Sequence, residues 1–216
     1  FKCDWSSDVC SSDLEKARAG LHALVAAARA QTLPGLVSVR VNEPASPHYL
    51  DDLAAAWASG AQGVVIPKLE RVDELFPAVH GLQRQDAQDP QADGRFILGG
   101  LESIRGVIHA GALCAAHPSV RAVYFGAEDF ISEMGGRRTA SSQEVLYARS
   151  QVVLHAKAAG ILAADQAVVE IRDDHHFEAD AQVGRDLGYD GKICLLPRQL
   201  EVAHRVFSPT AQEVDH

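Results

Sequence analysis

The chain predicts an α/β fold: a (β/α)8 TIM barrel lacking its first strands, with about six strand–helix units present. Three observations predict it. Short runs rich in Val, Ile, Leu, Phe and Tyr alternate with segments of helical period, at spacings of roughly 26–38 residues. One run, GVVIP at 63–67, is almost continuously apolar, as in a strand covered on both faces. Charged residues recur where these runs end, and parallel barrels gather their polar groups at that edge. A complete barrel needs about 250 residues, and this chain has 216. A doubly wound open sheet is the alternative, but no G-x-G-x-x-G follows an early strand.

The first stretch, residues 1–14 (FKCDWSSDVCSSDL), is rich in Ser, Asp and Cys and shows neither period. It resembles a translated sequencing adapter and is set aside as foreign. Residues 15–31 form the first native-looking element, with Leu21, Leu24, Val25 and Ala28 on one helical face. Pro34 and Gly35 end it. A strand follows at 36–41, then a loop, then a helix over 48–59 with Leu50, Leu53, Ala54 and Trp57 on one face. The strand 63–67 leads to Lys68, a helix over 72–82, and a polar surface loop over 83–94. Next come the strand FILGGLE at 96–102, a helix near 106–116, the strand 122–126 and a Gly-rich loop at 134–138.

Ser141 and Glu144 have capping-box spacing and open a long helix to Ala159, stopped by Gly160. Residues 161–171 contain a strand, 177–187 a helix, 192–196 a last strand and 197–206 a last helix. The domain is therefore expected over 15–207, with 208–216 starting a further segment cut short.

Composition narrows the function. Apolar residues make up 47%, enough to bury a substantial core in a chain of this length. The net charge of −9 argues against a nucleic-acid or anionic-membrane partner. No apolar run approaches the ~20 residues that span a bilayer. Cys3, Cys10, Cys114 and Cys194 form neither a disulfide framework nor zinc spacing, which suits a cytoplasmic protein with buried thiols.

Chemistry is sought at the strand ends, which carry Arg40, Lys68, Glu102, Asp129, Asp165 and the segment Pro197-Arg198-Gln199. Glu102 closes FILGGLE, and Asp129 closes AVYFGAED 27 residues later. Neighbouring parallel strands lie about 5 Å apart, so two acids at their ends call for a positive partner. Mg²⁺ fits, since it prefers hard oxygen ligands and keeps several waters. Arg40 offers a planar fork for a carboxylate and Lys68 a point charge. Each residue has a plainer reading. A strand-end Arg is often a surface ion pair, and single acids there often favour the positive end of the next helix. Their coincidence at one mouth favours a site. Asp173-Asp174-His175-His176 reads as a helix-capping turn rather than a metal cluster. Arg137-Arg138 reads as a solvated loop, and His109, His117 and His155 as scattered singles.

Five ordered motifs resemble a known family. They are Val39-Arg40-Val41-Asn42; Gly63-Val64-Val65-Ile66-Pro67-Lys68; Leu101-Glu102-Ser103; Phe125-Gly126-Ala127-Glu128-Asp129; and Gly191-Lys192-Ile193-Cys194-Leu195-Leu196-Pro197-Arg198-Gln199. Together with Phe207-Ser208-Pro209 they are similar to the citrate lyase β-subunit-like branch of the HpcH/HpaI aldolase family, from about residue 15 onward. The resemblance implies a Mg²⁺-dependent (β/α)8 enzyme with Glu102 and Asp129 as metal ligands and Arg40 on the substrate carboxylate. Lys68 and Arg105 are its implied partners for the anionic CoA portion. Three departures stand out. An acidic Asp-Leu-Glu-Asp strand is expected where residues 1–14 stand, a C-terminal segment is expected beyond Phe207, and Leu196 replaces a His. The expectation is a chain truncated at both ends.

The implied reaction is cleavage of a citramalyl-, malyl- or citryl-type thioester to a keto acid and an acyl-CoA. Its partners would be a small CoA thioester or keto acid, and the intact protein a homo-oligomer, trimer or hexamer. Asp165 is the candidate general base; a segment outside this chain is the other source. A malyl-CoA thioesterase, a class II pyruvate-type aldolase and an inactive truncated fragment are the competing readings.

Overall fold

A computed structural model describes residues 11–30, 35–88, 94–210 and 213; the expectations for 1–10 lie outside them. Among the described residues six strands form one sheet: β1 (Ser38–Arg40), β2 (Gly63–Ile66), β3 (Phe96–Leu101), β4 (Val120–Phe125), β5 (Leu162–Asp165) and β6 (Gly191–Lys192). Every neighbouring pair is parallel, and spatial order equals chain order from β1 to β6. A doubly wound sheet reverses its strand order at a switch point, and this one does not. The sheet is a curled partial barrel, six strands in barrel order, and all its strand ends point the same way.

The helices are α1 (Ser11–Arg29), α2 (Tyr49–Ala58), α3 (Phe76–Gln88), α4 (Ile104–Ile108), α5 (Ala110–Cys114), α6 (Ala127–Glu133), α7 (Leu146–Ala158), α8 (Asp174–Asp186) and α9 (Pro197–Phe207). The core lies between them and the sheet. Val64, Ile66, Ile97, Leu101, Val123 and Phe125 from the strands are sealed by side chains such as Leu53, Trp57, Leu113 and Val152. Burying each such side chain contributes about 1.5–3 kcal/mol, so the central strands hold the framework on which the polar strand ends are mounted. No helix among the described residues is long and apolar enough to cross a membrane.

Several expectations need correction. Helix α1 starts at Ser11, inside the stretch set aside, and of its expected face only Val25 is buried while Leu24 is 66% exposed. Polar links attach it instead, with Arg18 Nε donating to Asp52 Oδ1 at 2.7 Å. The buried row of α2 is Tyr49, Asp52, Leu53, Ala56 and Trp57, one position away from Leu50 and Ala54. The polar loop expected over 83–94 is helical as far as Gln88; residues 89–93 lie outside the described set. The expected helix near 106–116 is two short ones, α4 and α5.

The capping box at Ser141 does not form. Glu144 instead accepts from Thr139 and pairs with Arg138, while Ser142 sits in the left-handed region at φ 52°. The helix therefore starts at Leu146 and still stops at Gly160, whose φ of 71° suits glycine. Asp173 does cap α8, accepting from the His176 amide at 3.0 Å.

Candidate active site

Strand β3 delivers Glu102 one residue beyond its end, and β4 delivers Gly126 beside it, with the Gly126 amide donating to the Leu101 carbonyl at 3.1 Å. The two strands approach closely here. A Cβ at Gly126 would lie 2.4 Å from Glu102 Cγ, so a glycine is what admits the acid. Asp129 is not on the strand as AVYFGAED suggested; it occupies the first turn of α6. Its carboxylate nevertheless lines the same cleft as Glu102 and is close enough to act on the Glu102 carboxyl.

Glu102 is buried, and its Oε1 accepts from the Tyr124 hydroxyl and lies 3.9 Å from Arg40 Nη2. Burial first, and then the facing Asp129, push its carboxyl up to about 7 against the opposing pull of Tyr124 and Arg40. Lys68 closes the other side. Its Nζ lies 3.7 Å from Asp129 Oδ1 and 3.4 Å from Glu43 Oε2. Partial burial acts against its charge, but Asp129 and Glu43 outweigh it and hold the ammonium above its ordinary value. The Lys68 backbone has φ 47°, a strained value for a residue with a side chain.

Glu43, Lys68, Glu102 and Asp129 face a cleft of about 430 Å³ whose lining also includes Ser103 and Glu133. Ser103 caps α4 by accepting from the Gly106 amide at 3.0 Å, and Glu133 accepts from the Ile104 amide at 2.8 Å. Both fix the turn that carries Glu102. A larger cleft of about 670 Å³ lies at the opposite strand ends, beside Phe96, Val120 and Leu162, away from the acids. The candidate site is the smaller one, which carries the acids.

Among the described residues no three His, Cys, Asp or Glu side chains cluster as a metal cage. Two facing carboxylates nonetheless suit Mg²⁺, which binds through one or two carboxylates and retains waters. The pressure to protonate Glu102 beside Asp129 is what a cation between them would relieve. The donor set fits.

Other sequence candidates fall elsewhere. Asp165 is a correction: it is fully buried, held by Arg149 through Nε at 2.8 Å and by Lys192 Nζ at 2.9 Å, and is not part of the cleft lining. Its two oxygens are engaged by those cations, away from the cleft. Arg105 is exposed on α4 and does not line the cleft. Arg198 pairs with Asp174 and donates to the Ile171 carbonyl, while Gln199 accepts from the Leu195 and Leu196 amides. Arg138 is no solvated loop residue, since it pairs with Glu128 and Glu144.

These features define a (β/α)-barrel protein with a carboxylate-bearing cleft at the carboxyl ends of its strands. The chain belongs to the HpcH/HpaI aldolase/citrate lyase family, whose model matches residues 8–197. It is 44% identical over 174 residues to a citrate lyase subunit beta-like protein of Deinococcus radiodurans, covering 81% of this chain and 58% of that protein. It is 30% identical over 183 residues to the citrate lyase subunit beta of Leuconostoc mesenteroides subsp. cremoris, covering 82% and 59%. The chain thus spans under two thirds of either relative. Among solved structures, the citrate lyase beta subunit from M. tuberculosis complexed with oxaloacetate and magnesium superposes with a TM-score of 0.73. Its identity is 25%, with 94% of this chain and 84% of that one covered.

Proposed function

We propose that the intact protein is a Mg²⁺-dependent carbon–carbon lyase. It would cleave a β-hydroxyacyl thioester of citramalyl-CoA, malyl-CoA or citryl type into a keto acid and an acyl thioester. One observation carries the reading: Glu102 and Asp129 line one cleft, and the Arg40 guanidinium lies 3.9 Å from Glu102 Oε1. The family, which includes citrate lyases, and the oxaloacetate and magnesium bound by the M. tuberculosis protein support it.

In this reading Glu102 and Asp129 hold the ion, and the chemistry a bound Mg²⁺ supplies is that of a Lewis acid toward oxygen. Arg40, 38% exposed at its side chain, presents its fork to the substrate carboxylate and fixes its orientation. Lys68 adds positive charge for the anionic thioester portion while holding Asp129 and Glu43. Arg105, exposed at the start of α4, would meet that portion farther out. Asp165 takes no part, and the proton acceptor is assigned to no residue of this chain.

The test is Glu102→Ala in a full-length relative, assayed on citramalyl- and malyl-CoA with product analysis. Loss of Mg²⁺ binding and of cleavage is expected. Unchanged turnover overturns the assignment, and release of the intact four-carbon acid from malyl-CoA, or of the five-carbon acid from citramalyl-CoA, would mark a thioesterase instead.

A further inference from the structure

We propose that Tyr124 is a positioning residue that aims the Glu102 carboxylate into the cleft and holds it against the Arg40 guanidinium. The inference rests on the metal-site reading above and deepens it. Strand β4 alternates its side chains, and Tyr124 sits directly across from Gly100 of β3. The phenol is 8% exposed, so its hydroxyl needs a partner inside the protein. That partner is Glu102 Oε1, the same oxygen that faces Arg40 Nη2 at 3.9 Å. The Tyr124 hydroxyl and the Arg40 guanidinium thus meet on one carboxylate oxygen. One buried hydroxyl therefore joins the proposed metal-binding arm to the proposed carboxylate-binding arm.

The backbone is shaped around this junction. A Cβ at Gly100 would come within 2.5 Å of Tyr124 Oη and 2.6 Å of Glu102 Oε1. A Cβ at Gly126 would press on Glu102 from the other strand. The acid is thus confined between two side-chain-free positions and tethered at one oxygen. A carboxylate free to rotate would have to be ordered each time an ion binds. Tethering removes that step, as outer-shell hydrogen bonds do for metal ligands generally.

The experiment titrates the full chain with Mg²⁺ alone by isothermal calorimetry, for wild type, Tyr124→Phe and Gly100→Ala. Tyr124→Phe keeps the ring and removes the tether; Gly100→Ala keeps the hydroxyl and intrudes between it and the carboxylate. Each is expected to weaken Mg²⁺ binding by at least about tenfold. Tyr189→Phe is the control, since its buried hydroxyl donates to the Arg149 carbonyl at 2.7 Å within the Asp165 cluster. It should lower the melting temperature as Tyr124→Phe does and leave the Mg²⁺ affinity alone. Equal affinity in wild type, Tyr124→Phe and Gly100→Ala overturns the inference and leaves the metal site standing. Equal weakening by Tyr189→Phe also overturns it, and absence of binding by wild type overturns the metal site and the inference together.

Discussion

Lys68 reaches from the end of β2 to Asp129 on α6, Nζ to Oδ1 at 3.7 Å, out of a backbone held at φ 47°. An ammonium beside a carboxylate proposed to bind metal would compete with the metal yet attract an anionic substrate. Lys68→Met should therefore separate the two roles. Mg²⁺ affinity is expected to stay equal or tighten by about threefold, the scale of a screened surface pair. The KM for an acyl-CoA substrate, measured in a full-length relative, should rise by about tenfold or more, roughly 1.4 kcal/mol of lost attraction. A parallel loss of both would contradict this division.

Glu102→Gln should separate function from stability. The buried carboxyl is pushed up to about 7 by burial and by Asp129, so its charge is held against resistance. Removing that charge is expected to abolish Mg²⁺ binding while the melting temperature holds or rises by about 2–4 °C, the shift that ~1 kcal/mol produces at this chain length. Differential scanning calorimetry without metal checks it.

Gly126→Ala puts a methyl group 2.4 Å from Glu102 Cγ. Overpacking of this kind costs about 1–3 kcal/mol, and the acid must turn away from Asp129. Calorimetric titration should find Mg²⁺ binding at least about tenfold weaker.

Asp165→Asn tests structure against catalysis. Removing one charge leaves Arg149 and Lys192, both buried, sharing Asp180 alone. Breaking a buried pair this way costs about 3–5 kcal/mol, so urea unfolding should show a large loss of stability. A variant of full stability with slowed catalysis would restore Asp165 as a base.

The same cluster sets an acid limit. Burial pushes the Asp180 carboxyl upward, but Lys192 and Arg149 outweigh it and hold the group below its ordinary value. A lowered folded-state value stabilises the fold above the ordinary carboxylate range, near pH 4. That contribution is lost as pH falls through the folded value. Asp180→Asn should accordingly flatten the acid side of the stability profile below about pH 4.

How much of this was legible beforehand depended on periodicity. GVVI and FILGGL announce buried strands because little else tolerates such runs, and five of the six strands lie where the pattern places them; β6 is only Gly191–Lys192. Arg40, Lys68, Glu102 and Asp129 were proposed from strand ends; the structure puts Lys68, Glu102 and Asp129 around one cleft, with Arg40 against Glu102. The same rule misplaced Asp165, because a strand end does not tell a cleft acid from one neutralised inside the protein. Arg149, which neutralises it, sits in a helix where nothing in the local pattern marks an arginine as fully buried. Tyr124 reads as one more strand aromatic until Gly100 across the ladder shows room for its hydroxyl. Glu133 reads as helix surface, and only the fold carries it back to the Ile104 amide.

Because the strands follow one another around the arc, Arg40, Lys68, Glu102 and Asp129 come from four successive units. Shuffling one strand–helix cassette between relatives would exchange one of these four candidate residues and leave its three companions in register. Such a layout lets substrate choice drift piecemeal through recombination while the shared architecture persists.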